Sequence, residues 1–312
     1  MQGPLAFCFP GQGSQQVGMG QAFYQGSQIV RALYEEASDV LELDLARLSF
    51  EGPQAELQLT ANAQPAILTA SVAAATRLGE EGIFPTILAG HSLGEYSALV
   101  VSGALAFKDA VRLVRRRGEF MQEAVPAGQG AMAAIIGVEP PVVEEICREA
   151  AQGEVVEVAN VNAPIQVVIA GHKSAVARAV GLASERGGRR SVLLPVSAPF
   201  HCRLMAPAAE RLKKELEAVP VSPLKIPVVR NVDASVTISS EDVKPFLVKQ
   251  VASPVRWSDC VRRMAEEGVR HFVEVGPGRV LTGLLKRIAP DAIGYSVEDP
   301  ASLEKTLAAL KT

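Results

Sequence analysis

The chain has 312 residues, 48% of them apolar and 21% charged, with a formal net charge of −3. That size supports one large domain or two smaller ones, with a core that needs no covalent staples. The near-balanced charge gives no footing for nucleic acid or an anionic membrane surface as a partner.

Leu5-Ala6-Phe7-Cys8-Phe9 is a short apolar strand, not a leader, and no apolar run approaches the roughly 18 residues of a membrane span. The strand stops at Pro10-Gly11-Gln12-Gly13, where proline and glycine impose a tight loop. Helical periodicity follows over 28–41 and 64–81, the second apolar all round and so expected to be buried. Pro85 to Gly90 reads as a central parallel strand leading into a helix from Glu95 to Val101, and another helix is expected over 108–123. Alternating helices and short buried strands define an α/β chain with a parallel sheet.

The rhythm changes after Pro126-Ala127-Gly128-Gln129-Gly130, a linker by composition. Strands are expected over 131–138, 154–161, 166–170 and 190–196, with helices over 140–151 and 174–186, the latter capped by Ser174. That order, β-α-β-β-α-β, is the ferredoxin-like pattern. We therefore expect a large α/β domain made of residues 1–127 and 197–312, interrupted by a small ferredoxin-like unit over 128–196. The large domain resumes with helices over 207–218, 241–251, 258–267 and 279–288 and strands over 226–231 and 271–275. Repeats and low-complexity segments are absent from the sequence.

Gly90-His91-Ser92-Leu93-Gly94 lies between the buried strand and a helix. Gly-x-Ser-x-Gly in that context is a nucleophile elbow, which lifts the serine hydroxyl above the carboxyl end of the sheet beside free backbone N–H groups. The serine needs a base, and four histidines are available. His91 lies inside the elbow and is expected to point away from Ser92; His172 is expected in a turn and His271 at the start of a strand. His201, in the irregular segment Ser197-Ala198-Pro199-Phe200-His201-Cys202, is the best-placed candidate. Cys202 beside it has no elbow of its own. Asp109, the one aspartate between Ser92 and His201, falls at a helix start and reads as a cap, so no convincing acid is found; a base oriented by a backbone carbonyl would make the pair a dyad. Arg112, Arg115, Arg116 and Arg117 share one helix; three are expected to face solvent, and one directed inward could hold a carboxylate. Gly11-Gln12-Gly13 fails the dinucleotide fingerprint, because Gln16 stands at the sixth position. Walker, HExxH and EF-hand patterns are missing as well, so no metal and no bound cofactor is expected. Cys8, Cys147, Cys202 and Cys260 form no CxxC pair and read as free thiols in a reducing compartment, so a cytoplasmic enzyme is expected.

Six segments in chain order resemble the malonyl-CoA:acyl carrier protein transacylases: Phe9 to Gln15, Gly90 to Tyr96, Arg117 to Gln122, Asn160-Val161-Asn162-Ala163-Pro164, Phe200-His201-Cys202 and Glu274 to Gly278. The resemblance covers nearly the whole chain. It implies an α/β-hydrolase-like domain with a ferredoxin-like insertion and a ping-pong transfer between malonyl-CoA and the phosphopantetheine thiol of acyl carrier protein. It also implies residue roles. Ser92 would carry the malonyl group and His201 would move the proton. The backbone N–H groups of Gln12 and Leu93 would hold the oxyanion, and Arg117 would hold the substrate carboxylate. The Gln250 carbonyl would orient His201, and Asn160, Asn162 and Phe200 would shape the pocket. Many bacterial relatives have a small residue in place of Phe200. A malonyl-specific domain of polyketide synthases has phenylalanine there, so malonyl is expected to be preferred over methylmalonyl.

Ser92 and His201 do not by themselves separate a transferase from a hydrolase. A sister transferase for neutral acyl groups and a non-catalytic carrier-binding module also remain open. Carrier proteins are usually acidic, which makes Arg189, Arg190, Arg203, Lys286 and Arg287 candidate docking contacts. A monomer is expected, and fatty acid synthesis is the pathway implied by resemblance.

Overall fold

The computed structural model describes residues 3–196 and 198–310, so Ser197 lies outside the described residues. Among the described residues ten strands form two sheets: β1 (Leu5–Phe9), β2 (Ile87–Gly90), β3 (Gly130–Ile136), β4 (Val156–Ala163), β5 (Gln166–His172), β6 (Arg190–Leu193), β7 (Val228–Val229), β8 (Val236–Thr237), β9 (His271–Val275) and β10 (Ile293–Val297). The larger sheet runs β10-β9-β1-β2-β7-β8. Its first five strands are parallel and β8 turns back antiparallel at the edge.

Central parallel strands are buried on both faces, and β1 shows how. Leu5, Phe7 and Phe9 join the main core, while Ala6 and Cys8 join a second core with Trp257, Phe272 and Leu284. The helix Thr60–Glu80 is buried on nearly every side, as its all-round apolar composition requires. No helix among the described residues is long and apolar enough to cross a membrane.

The smaller sheet is antiparallel, in the order β4-β5-β3-β6. The helices Pro140–Ala151 and Lys173–Glu185 pack on it around a separate core that includes Ile135, Ile146, Ile169 and Val176. The outer strand β4 of the small sheet is tied to the segment between two helices of the large unit: Val161 N–H donates to Val255 C=O, and Val255 N–H to Ala159 C=O, both at 2.9 Å. Asn160, still paired with Val168 of β5, is thereby also bridged to Val255.

Several local expectations are corrected. Ser174 does not cap its helix. His172 occupies the cap position, and the Ser174 hydroxyl donates to Glu154 instead, at 2.6 Å. His172 ends a strand and accepts the Val155 N–H on Nδ1, at 2.9 Å. The strand expected over 226–231 narrows to Val228–Val229, because the chain turns at Asn231. β10 adds a strand without a clear sequence signal: its residues Ile293 to Val297 include Gly294 and a half-exposed face.

Candidate active site

β2 ends at Gly90 and the next helix starts at Gly94, so three residues reverse the chain. A Cβ at Gly90 would collide with the Gly94 backbone, and one at Gly94 with the Phe9 carbonyl. Only glycine lets these segments approach so closely. Between them Ser92 is held at φ 53°, a left-handed conformation that costs a non-glycine residue about 1–3 kcal/mol. Its side chain lines a cleft of about 440 Å³ between the two sheets.

Ser92 Oγ lies 2.7 Å from His201 Nε2, and His201 Nδ1 lies 3.0 Å from the Gln250 carbonyl. A carbonyl only accepts, so Nδ1 carries the proton and Nε2 is left to accept the serine hydroxyl. Burial, with the positive charge of Arg117, lowers the His201 pKa to about 3. Among the described residues no carboxylate bonds to His201, and Asp109 sits in the first turn of the helix Phe107–Glu123. Cys202 donates to the Pro199 carbonyl and is 1% exposed, and burial pushes its thiol up to about 12. That thiol is no competing nucleophile.

Arg117 is 2% exposed, on the face of its helix that also buries Leu113, Val114 and Met121. Arg112, Arg115 and Arg116 point away and pair with Asp109 and Glu119. Arg117 Nη2 donates to Ser92 Oγ at 3.0 Å and to Gln250 Oε1 at 2.8 Å, and Nη1 to Gln64 Oε1 at 2.8 Å. Its guanidinium lies over the Tyr96 ring, 5.4 Å from the centroid. Arg117 forms no ion pair among the described residues.

Gln12 and Leu93 line the cleft beside Ser92, and neither backbone N–H meets an acceptor among the described residues. The loop carrying Gln12 is close because Gly11 has no side chain: a Cβ there would strike the His91 carbonyl. Asn160 and Phe200 also line the cleft, Phe200 with the apolar Met121, Met132, Leu194 and Val196. Asn162 stands behind His91, its Oδ1 accepting the His91 Nε2–H at 2.8 Å, and the His91 ring packs 5.7 Å from that of Trp257. His271 stacks on Tyr295, away from the cleft.

Under the elbow, the buried Glu95 and Asn231 carry parts of the site that the sequence does not single out, and Gln250 has a role beyond the expected one. Gln250 contributes its amide as well as its carbonyl: Nε2 donates to Ser92 C=O at 2.9 Å and to Glu95 Oε2. Burial pushes Glu95 up to about 8, against two N–H donors and the nearby Arg117 charge. Asn231 accepts the Ser92 N–H. The available signal was weak: Glu95 is a charge in an otherwise apolar helix start, nothing around Asn231 marks it, and Gln250 was marked by resemblance for its carbonyl but not for its amide.

An elbow serine bonded to a histidine that rests on a backbone carbonyl, with two free N–H groups alongside, is the arrangement of the serine acyl-handling enzymes. The acyl transferase domain family matches residues 6–299. Malonyl CoA-acyl carrier protein transacylases from Bacillus subtilis (strain 168) and Escherichia coli (strain K12) are 47% and 48% identical, over 98% and 97% of this chain and 97% and 98% of theirs. An acyl carrier protein S-malonyltransferase structure from Vibrio cholerae superposes with a TM-score of 0.95 at 49% identity, covering 97% of this chain and 99% of that one. A malonyl-transacylase solved in complex with its type II PKS acyl-carrier protein superposes at 0.96 with 47% identity, covering 98% and 99%. The chain belongs to the acyl transferase domain family, among its malonyl CoA-acyl carrier protein transacylases. It is an acyltransferase enzyme.

Proposed function

We propose that this acyltransferase moves a malonyl group from coenzyme A to the phosphopantetheine thiol of acyl carrier protein through a malonyl-Ser92 intermediate. Ser92 Oγ attacks the thioester carbonyl carbon as its proton passes to His201 Nε2, 2.7 Å away. The Gln12 and Leu93 N–H groups hold the oxyanion. When the C–S bond breaks, His201 returns the proton to the sulfur and coenzyme A leaves as the thiol. The carrier thiol then gives its proton to His201, attacks the acyl carbon, and releases Ser92 with its proton restored. His201 is already neutral in the free protein, which suits a base.

Arg117 carries this reading. A guanidinium 2% exposed, 3.0 Å from the nucleophile and without an ion-pair partner among the described residues is a receptor for an acyl group that ends in a carboxylate. A hydrolase has no use for such a charge unless its substrate is also anionic, and a neutral-acyl transferase would have to bury it unpaired.

The site residues divide by position. Ser92 and His201 do the chemistry, Arg117 holds the carboxylate, and the Gln250 carbonyl fixes the His201 tautomer. Phe200, beside His201 on the cleft wall, crowds an α-methyl group and favours malonyl over methylmalonyl, while Asn160 also lines the cleft. Asn162 acts through His91. The residues resolve into an α/β-hydrolase-like domain, 1–127 and 197–312, and a ferredoxin-like unit, 128–196. The small antiparallel sheet with its own core supports that division. Four buried, unpaired cysteines suit a reducing, cytoplasmic setting. No cofactor enters the chemistry.

The test is incubation with malonyl-CoA followed by mass mapping. The expected result is one malonyl group on the peptide containing Ser92, stable in water and discharged by a pantetheine thiol. Rapid loss to water without the thiol would favour a hydrolase. No adduct on Ser92 would refute the proposal.

A further inference from the structure

We propose that Asn231 is a positioning residue for the reaction, clamping the backbone on both sides of the elbow so that Ser92 keeps its left-handed turn and its own N–H is withheld from the oxyanion. The inference rests on the acyl-Ser92 chemistry proposed above.

β2 and β7 pair in parallel with Leu88 opposite Val228 and Ala89 opposite Val229. Two residues further on, the chains part: β2 turns into the elbow and β7 ends. The reversal strips Gly90 C=O and Ser92 N–H of ladder partners, and buried peptide groups without partners are costly. The Asn231 side chain replaces the missing peptide. Its Nδ2 donates to Gly90 C=O at 2.7 Å, and its Oδ1 accepts the Ser92 N–H at 2.7 Å. Asn231 is fully buried, and its own N–H donates to Glu95 Oε1 at 3.3 Å. The other Glu95 oxygen accepts from Gln250 Nε2, which also holds the Ser92 carbonyl. Both peptide groups of the nucleophile are thus gripped by side-chain amides that rest on one buried carboxylate.

The chemistry of the position is specific. Donor and acceptor are needed in one short planar group, which the asparagine amide supplies without a change of protonation. Aspartate would set an acceptor against the Gly90 carbonyl, and alanine would supply neither bond. With the Ser92 N–H occupied, Leu93 and Gln12 are left as the donors for the oxyanion. A shift of the elbow would therefore move the nucleophile relative to both His201 and those donors, without touching the substrate.

The experiment is single-turnover acylation by malonyl-CoA of wild type, Asn231→Asp and Asn231→Ala, reading the rate constant, the half-saturating concentration and the final acyl groups per chain. The expected result is a rate constant lower by about 10- to 100-fold, the scale of a misplaced reacting group. Half-saturation should stay within about threefold and the end point near one acyl group per chain, as for a defect in positioning rather than binding. A smaller end point at an unchanged rate constant marks a folding role alone and overturns the inference, as do wild-type rates in both variants. Failure of the wild type itself to acylate overturns the transfer reading and this inference with it. Should neither variant fold, amide exchange in the wild type decides: Ser92 N–H is expected to be protected while Leu93 N–H is not, and equal exchange overturns the clamp.

Discussion

Arg117 Nη2 donates to Ser92 Oγ at 3.0 Å, so the cation and the nucleophile are in direct contact before any substrate arrives. The same guanidinium is held from behind by Gln64 and Gln250, which fix its reach without neutralising its charge.

Replacing Arg117 with alanine is expected to lower kcat/KM for malonyl-CoA by about 100-fold or more, since a substrate carboxylate would enter a buried site with its partner gone. Transfer of a neutral acetyl group should fall far less, because the serine–histidine pair survives. Comparing both thioesters on both proteins checks the role, and undiminished malonyl transfer would count against it.

The acid limb of the pH profile should lie unusually low. With its pKa at about 3, His201 is neutral well below the ordinary histidine range. kcat/KM for acylation reports groups of the free enzyme. It is therefore expected to show no inflection near 6.5, where an ordinary imidazole would take up a proton and cease to act as base. Single-turnover rates between pH 5 and 8, each with substrate well below saturation, make the measurement. A midpoint close to 6.5 would mean that His201 is less desolvated in solution than its burial indicates.

Phe200→Ala should open the cleft wall beside His201. Discrimination by one methyl group is worth roughly 1–3 kcal/mol. The ratio of methylmalonyl to malonyl transfer is therefore expected to rise by about 10-fold, mostly through faster methylmalonyl transfer. Direct competition between the two thioesters reads this ratio, and an unchanged ratio would remove the steric argument.

The strained turn should be visible in stability. Ser92→Ala and Ser92→Gly both abolish acylation, but alanine keeps the left-handed cost at φ 53° and glycine does not. The glycine variant is expected to be more stable than the alanine variant by about 1 kcal/mol in denaturant unfolding. Equal midpoints would mean that the elbow carries no strain at this residue.

Local patterns were legible in the chain itself. The helices 28–41 and 140–151 and the strand 271–275 are found where periodicity placed them. The glycines around Ser92 announced the elbow, whereas the run of four arginines left open which one turns inward and only the resemblance singled out Arg117. These features depend on neighbours within a few residues, where side-chain period and backbone sterics leave little choice. The His201 assignment drew on a resemblance, because a lone histidine in a loop has no period to read.

Tertiary structure alone decided the contacts that make these residues a site. Ser92 meets His201 across 109 residues of chain, Asn231 across 139 and the Gln250 amide across 158. Such partners follow from strand order, with β7 set beside β2 and β4 stitched to Val255, and strand order leaves no trace in the composition around Asn231 or Gln250. The amino-acid sequence by itself determined the elbow and the class of sheet, and its resemblance to a family singled out the buried cation. Packing then determined which carbonyl orients His201, which amide holds Ser92 and which N–H groups are left free, because a hydrogen bond depends on positions in space that hydrophobic burial fixes far from the residues concerned.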